Sequence, residues 1–182
     1  MNLKPPGQHR AVFVMEYRRL TSADAPAYNE LRCEMLREHP DAFGDSLEEH
    51  LARGLAEVER RLGTGEDSQV FGAFLDGQLV GAAGFFRESH NKARHTATIW
   101  GVYTRPHARG QGVSAALIKL ALNTLRGLGV DLVQLDVGSH NVPARRTYES
   151  LGFVKTGVWP RALRVEGVDY DEDHMVLDLR RE

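Results

Sequence analysis

The sequence predicts a single α/β domain built around a mixed β-sheet. Its apolar patterns follow the order strand, two helices, three strands, helix, strand, helix and two strands. The stretch from Thr96 to Val137 adds a strand, turn, helix and strand in succession, a unit in which the two strands are parallel. At 182 residues the chain is long enough for one substantial core and short for two. We therefore expect a flexible tail at residues 1–10 and one domain over residues 11–182.

Local patterns predict the first strand and the first two helices. Val12–Leu20 has a strand pattern, and the helical apolar spacing that follows is ended by His39-Pro40-Asp41. Ser46 with Glu49 three residues later fits a capping box, which predicts a second helix up to about Leu62.

Three strands are predicted next. Val70–Leu75 and Leu79–Phe86 are separated by Asp76-Gly77, a dipeptide typical of a hairpin turn. Thr96–Thr104 alternates and ends in an apolar and aromatic run, so it predicts a third strand.

The C-terminal half is predicted to hold a helix, a strand, a short helix and two strands. In chain order these are Val113–Leu128, Val130–Val137, a helix from Asn141 to Gly152, Phe153–Trp159 and His174–Leu179. The residues between the last two strands are polar, so a loop is expected at 160–172.

A glycine-rich turn lies where the third predicted strand leads into the long helix. Gly110 and Gly112 stand directly before the helix, whose first turn has unpaired N–H groups and the positive end of the helix dipole. Such a terminus favours phosphate, so we expect a phosphorylated cofactor over Gly110 to Ser114. The alternative is that the two glycines only allow a tight turn.

Two other phosphate-binding motifs fit this turn less well. Residues 110–115 match the dinucleotide pattern G-x-G-x-x-A, and Asp136 lies downstream at about the required spacing of roughly 20 residues. However, Arg105–Arg109 separates the turn from its strand, and too little chain follows Asp136 for a doubly wound sheet. A P-loop is excluded because no Lys-Ser or Lys-Thr follows the second glycine.

Two sequence blocks in the correct order resemble the GCN5-related N-acetyltransferase (GNAT) superfamily. Arg109-Gly110-Gln111-Gly112-Val113-Ser114 is similar to that family's Q/R-x-x-G-x-G/A signature, with Ser114 where the family usually has Gly or Ala. Asn141-x-x-Ala144-x-x-x-Tyr148-x-x-x-Gly152-Phe153 is similar to its downstream block. The resemblance extends over roughly residues 15–180.

The resemblance implies a mostly antiparallel central sheet with one splayed parallel strand pair and helices on both faces. It also implies acetyl-CoA as co-substrate, held in the splay; no metal is expected, because the sequence offers no matching ligand set. The residues that it assigns to the cofactor are Val102, Tyr103, Thr104, Arg109, Gly110, Gln111, Gly112, Val113, Ser114, Ala115, Asn141, Ala144 and Tyr148. Asn141 could bond the pantetheine amides, cap its helix, or do both.

Transfer of an acetyl group to an amine needs a proton donor for the departing thiolate and a neutral nitrogen. Tyr148 is the candidate general acid, because a phenol with a reference pKa of about 10 roughly matches an alkyl thiolate. The alternative is that Tyr148 only packs in the core. Thr96–Thr104 has no carboxylate, so the general base is open; His95 is the candidate and Glu88 is nearby. A water chain or an amine that is already neutral would also serve.

Composition limits the partners. A net charge of −2 gives no reason to expect nucleic acid or a membrane surface as a partner. Residues 24–67 are rich in acidic side chains and residues 87–109 in basic ones, which suits a cationic amine and an anionic cofactor, or simply a solvated helix face.

Neither His90 with His95 nor the acidic run at 169–173 forms a metal-ligand set. The start of the chain has no apolar signal segment, so a cytoplasmic protein is expected, and a homodimer is left open.

The sequence therefore predicts an acetyl-CoA-dependent N-acetyltransferase acting on a primary amine of a small molecule, an amino-acid-like compound or a protein. The alternative is a non-catalytic acyl-CoA-binding or regulatory module of the same fold. The resemblance implies that the acceptor pocket is built from variable loops, such as residues 39–47 and 160–172, so the sequence does not name the acceptor.

Overall fold

The computed structural model describes residues 14–63 and 65–180, and the tail predicted at residues 1–10 lies outside them. The strands are β1 (Met15–Arg19), β2 (Ser68–Leu75), β3 (Gln78–Arg87), β4 (Thr96–Thr104), β5 (Leu132–Gly138), β6 (Val154–Val165) and β7 (Val168–Asp178). The α-helices are α1 (Ala25–Glu38), α2 (Leu47–Leu62), α3 (Val113–Gly127) and α4 (Val142–Ser150). Short 3-10 turns occur at Ser22–Asp24, Pro40–Ala42 and Pro106–Ala108.

Within the described residues, the strands form one seven-stranded sheet in the order β1-β2-β3-β4-β5-β7-β6. Every neighbouring pair is antiparallel except β4 with β5, which is parallel. The parallel register covers Thr96–Thr98 against Leu132–Gln134 and then stops, although both strands continue. The predicted mixed, mostly antiparallel sheet with a splayed parallel pair is therefore confirmed.

Helices cover both faces of the sheet, as expected. The core on one face joins α3 and α4 to the sheet through side chains such as Leu117, Leu125, Leu135, Met175 and Phe153. The core on the other face joins α1 and α2 to β2, β3 and β4 through side chains such as Leu31, Met35, Val58, Phe74 and Tyr103. The helices of the second core leave β5 and β7 uncovered on their side.

Two of the predicted local signals form as expected. The Ser46 hydroxyl accepts a hydrogen bond from the Glu49 N–H at 3.1 Å, and the Ser46 N–H donates to the Glu49 carboxylate at 2.9 Å. Asp76 and Gly77 both have positive φ, at 49° and 82°, which suits the tight turn between β2 and β3. The second helix is kinked at Gly54, whose φ is 74°, whereas the sequence predicts a continuous helix there.

The loop predicted at residues 160–172 is wrong. β6 continues to Val165 and β7 begins at Val168, so only Glu166-Gly167 forms the turn. Opposite charges stand across the two strands, with Arg164 paired to Asp169. A hairpin that is solvated on both faces needs no apolar alternation, so its polar sequence has the same pattern as a loop. No helix in the described residues is long and apolar enough to cross a membrane.

Candidate active site

A cleft of about 760 Å³ opens where β4 and β5 diverge. The second halves of these two strands form its floor, and the first turn of α3 and one face of α4 form its walls. Residues 39–43, which follow α1, close its other side. The splay thus creates a groove lined by backbone as well as by side chains.

A β-bulge shapes the β4 side of the cleft. The register with β3 shifts so that Gly101 and Val102 together stand opposite Ala83, and Gly101 has a φ of 62°. The strand predicted over Thr96–Thr104 is regular, so the bulge at Gly101 is a departure from that prediction. A glycine inside a strand pattern was the available signal.

The backbone beyond the bulge offers donors to the cleft. The Arg105 N–H donates to the Val80 carbonyl of β3 at 2.8 Å. Because N–H groups alternate in direction along a strand, the residues one and three positions before Arg105 direct their N–H groups away from β3. Those residues are Val102 and Thr104, and β5 no longer pairs with β4 at this point. Their N–H groups therefore face the cleft.

The entry into α3 is an open cradle of N–H groups. Gly110 and Gly112 have φ of 74° and 75°, and a Cβ added at either would meet no protein atom within 4 Å. The N–H groups of Val113, Ser114 and Ala115 lie in the first helical turn, where no helix carbonyl can accept from them. This shape and polarity fit a pyrophosphate. Gln111 is not part of the cleft lining.

Ser114 and Arg109 are both tied to Thr104. The Ser114 and Thr104 hydroxyl oxygens lie 2.9 Å apart, and Arg109 Nε donates to the Thr104 carbonyl at 2.9 Å. A second Arg109 nitrogen lies 3.3 Å from Nε2 of His39. These contacts hold the guanidinium at the mouth of the cleft.

Tyr103 borders the cleft, but its hydroxyl points toward α1. The hydroxyl oxygen lies 3.0 Å from a Glu34 carboxylate oxygen and 2.9 Å from one of Glu38. Burial, together with these two carboxylates, raises the pKa of the Tyr103 phenol. Its side chain therefore stabilises the packing of α1 on the sheet, and only its backbone remains for a ligand.

Three predicted residues of α4 line the cleft together. Asn141 caps the helix, since its side-chain oxygen accepts from the Ala144 N–H at 3.2 Å. Tyr148 is 7% exposed and stands edge-on to Phe153, with ring centroids 6.0 Å apart. Burial raises the pKa of its phenol. Within the described residues its hydroxyl has no hydrogen-bond partner, although Tyr148 lines the cleft.

The structure does not bring His95 or Glu88 to the cleft. His95 is exposed just before β4, and its carbonyl accepts N–H groups of Asp131 and Leu132 at 2.9 and 3.0 Å. Glu88 bonds Thr96 through its backbone at the same end of the strand. Val102 is seven residues further along β4, which is about 20 Å at the usual rise per residue. Proximity in sequence along an extended strand misplaced the expected base.

Polar residues of the opposite wall were not assigned by the sequence analysis. Asp136 lines the cleft from β5, and its carboxylate lies 2.7 Å from Nδ1 of His174 on β7. Asp41 and His140 also line it and are joined across its mouth at 2.9 Å. The His140 ring packs on Tyr170 of the long hairpin, with centroids 5.4 Å apart. Within residues 14–63 and 65–180, no group of three potential metal-ligating side chains is found.

Comparison with known proteins identifies the class to which this fold and cleft belong. Residues 26–153 match the acetyltransferase (GNAT) family, and the chain belongs to this family. The family uses acetyl-CoA. An acetyltransferase from Salmonella typhimurium, solved with its cofactor acetyl-CoA, has a TM-score of 0.77 and 25% identity, over 92% of this chain and 95% of that one.

Individual relatives of this chain include acetyltransferases with different names. A mycothiol acetyltransferase from Brachybacterium faecium is 34% identical over 76% of this chain and 45% of its own length. A streptothricin acetyltransferase from Escherichia coli is 31% identical over 51% of each chain. The chain thus spans about half the length of these curated relatives.

Proposed function

We propose that this protein is an acetyl-CoA-dependent N-acetyltransferase that transfers the acetyl group to a primary amine. The observation that carries the proposal is the cleft between β4 and β5. It joins an open cradle of N–H groups at Gly110–Ala115 to a buried tyrosine whose hydroxyl has no protein partner among the described residues.

The cleft has the groups that the two ends of acetyl-CoA require. When bound, acetyl-CoA supplies the thioester whose acetyl group is transferred. The N–H groups at the start of α3 bind the pyrophosphate, and Arg109 at the mouth adds a charge-assisted contact. Asn141 uses its side-chain oxygen as a cap, so its NH2 group remains for the pantetheine. Ala144, one turn further, leaves room beside it.

The bulged strand holds the reacting end. The Val102 and Thr104 N–H groups donate to the pantetheine and polarise the acetyl carbonyl, because they face the cleft and no strand competes for them. Preorganised backbone donors of this kind cost no rearrangement during the reaction.

Tyr148 is the proton donor to the departing thiolate. Burial raises the pKa of its phenol, so the hydroxyl stays protonated throughout the physiological range. A phenol with a raised pKa gives up its proton less readily than a free phenol, which weakens the simple match to a free thiolate. The same apolar burial also disfavours a thiolate anion in the cleft, and this restores the drive for proton transfer.

The relatives named after mycothiol and streptothricin favour a small-molecule acceptor over a protein. The test is an acetylation screen of purified protein with acetyl-CoA and a panel of primary amines, with release of free thiol as the signal. Amine-dependent thiol release is expected. Tight acetyl-CoA binding with no turnover on any amine would instead favour the acyl-CoA-binding module.

A further inference from the structure

Alternation along β5 and β7 places polar side chains on the face of the sheet opposite α3 and α4. Leu135, Val137 and Met175 are buried in the core under those helices. Their neighbours Asp136 and His174 therefore turn to the other face, where they are cross-strand partners. This face of β5 and β7 lies beyond the helices of the second core.

Asp136 and His174 form a carboxylate–imidazole pair at the edge of the cleft. Nδ1 of His174 lies 2.7 Å from the Asp136 carboxylate, and the two side chains are 36–37% exposed. This contact places the proton of a neutral imidazole on Nδ1, where it donates to Asp136. Nε2 is then left as a lone-pair acceptor, and the carboxylate stabilises the cation that forms when Nε2 gains a proton.

The two histidines of the described cleft lining are held differently, since each has its Nε2 engaged by a neighbouring side chain. His39 has its Nε2 3.3 Å from an Arg109 nitrogen, and His140 has its Nε2 2.9 Å from Asp41. Among the described residues, His39 and His140 are the only histidines in the cleft lining. His174 stands just behind the wall residue Asp136 and keeps its Nε2 without a protein partner in the described chain.

The surroundings of the pair are negative. Glu172 is on the same face of β7, two residues before His174, and burial together with Asp136 raises the pKa of its carboxyl. On β6, Gly157 stands across from His174, and Lys155 turns to the other face to pair with Asp173 at 2.8 Å. Trp159, which is 61% exposed, stands across from Glu172. The charged groups facing His174 from these strands are thus Asp136 and Glu172, and the turn at Pro40–Ala42, which packs on β5 and β6, adds Asp41 with its partner His140.

We infer that the Asp136–His174 pair binds the ammonium group of the acceptor and takes up its proton, so that the acceptor is a cationic primary amine. This assignment rests on the proposed function. Asp136 contacts the ammonium, and one N–H bond breaks while an N–H bond forms at Nε2 of His174 through water. The nitrogen keeps its electron pair and attacks the acetyl carbonyl carbon. As the C–S bond breaks, the sulfur takes the proton of Tyr148, and the phenol is restored by the second proton lost from nitrogen.

The test is the dependence of kcat/KM for the acceptor on pH, between about pH 6 and 9. In the wild type, kcat/KM is expected to fall toward acid pH, as it does for a reaction that needs a free base. His174→Gln is expected to lower kcat/KM at neutral pH by about 100-fold, and alkaline pH is expected to recover most of it as the free amine becomes neutral. Asp136→Asn is expected to raise KM for the acceptor as well. His90→Gln, on the exposed turn between β3 and β4, is the matched control and should match the wild type.

A second measurement needs no variant. Wild-type kcat/KM is compared for two accepted amines of different basicity. The fall of kcat/KM toward acid pH is expected at the same pH for both amines, because the base is a group of the protein. A fall whose pH moves with the pKa of the amine would overturn the assignment. A folded His174→Gln protein with the wild-type profile would also overturn it and leave the acetyltransferase intact. A wild type that acetylates no amine would overturn the proposed function itself.

Discussion

The hydroxyl oxygens of Thr104 and Ser114 lie 2.9 Å apart, so the end of β4 is hydrogen-bonded to the first turn of α3. Ser114 stands where the GNAT signature usually has Gly or Ala. Because its hydroxyl is taken up by Thr104, it does not compete for the pyrophosphate that the neighbouring N–H groups are proposed to bind. The departure from the signature thus fixes the helix terminus relative to the strand.

Ser114→Ala is expected to lower the free energy of unfolding by about 0.5–1.5 kcal/mol, the usual net contribution of one hydrogen bond. The dissociation constant of acetyl-CoA should change by less than about threefold, because the backbone donors are kept. Chemical denaturation and isothermal titration measure the two quantities. A loss of acetyl-CoA affinity greater than tenfold, or about 1.4 kcal/mol, would show that the hydroxyl itself contacts the cofactor.

Gly112→Asp is expected to abolish acetyl-CoA binding, since the carboxylate would occupy the cradle and repel the phosphates. The backbone strain of an Asp at this positive φ costs about 1–2 kcal/mol, so the fold is expected to survive. The matched control is Gly167→Asp, at a φ of 81° with equally open space but in the turn between β6 and β7. Equal acetyl-CoA affinity in the two folded variants would place the phosphates elsewhere.

Tyr148→Phe is expected to lower kcat by about 100-fold while acetyl-CoA affinity changes little, because only the proton donor is removed and the ring still packs on Phe153. The measurement is steady-state kinetics with an accepted amine, under conditions in which chemistry limits turnover. Tyr28→Phe, in a second buried tyrosine on α1, is the control for loss of a buried hydroxyl. If both variants keep wild-type kcat, the proton comes from water or from the amine.

Asp173→Asn is expected to lower the free energy of unfolding by about 1–3 kcal/mol near neutral pH. Asp173 is fully buried, and burial opposes its charge, but Lys155, Ser139 and Arg145 outweigh this and lower its pKa to about 2. The contribution is complete above the unfolded pKa of about 4 and disappears as the pH falls through about 2.

Unfolding free energies of both proteins, measured between about pH 7 and 2, test this sign. The curves should converge in acid, and a gap that persists at pH 2 would contradict the role of the charge. Asp169→Asn is the comparison on the same hairpin, where the ion pair with Arg164 is exposed. Little effect is expected there at any pH.

Local sequence patterns correctly predicted the strands, helix termini and helix faces that surround the cleft. Strand β4 begins and ends where its alternation does, and Gly112 stands directly before α3, because these features are determined by local backbone sterics and by helix termini. Asn141 and Tyr148 share a helix face for the same reason. Their proposed chemical roles remain predictions, since position alone does not test them.

Features that depend on distant partners could not be predicted in this way. His95 is close to β4 in sequence, but because β4 is extended, His95 lies at the end of the strand that is far from the cleft. Asp136 and His174 are 38 residues apart in the sequence and meet only because β5 and β7 pair, a register that no local pattern specifies. The polar residues 160–172 likewise form strands because β6 and β7 pair with each other, and no local pattern predicts this pairing.

The parting of β4 from β5 divides the sheet into two leaves, β1 to β4 and β5 to β7, joined by three registered residue pairs. Beyond those pairs the strand edges face a gap in which each lacks the partner that a continuous sheet would provide. The pantetheine arm proposed to lie in this gap would, through its own amides, take the place of a missing strand and bond to an edge that the polypeptide leaves open. With the cofactor bound in this way, the open strand edge would gain hydrogen bonds that the polypeptide alone does not form. Release of the product would break these hydrogen bonds again. On the proposed function, each round of acetyl transfer would therefore complete and then break a set of hydrogen bonds along the open strand edge.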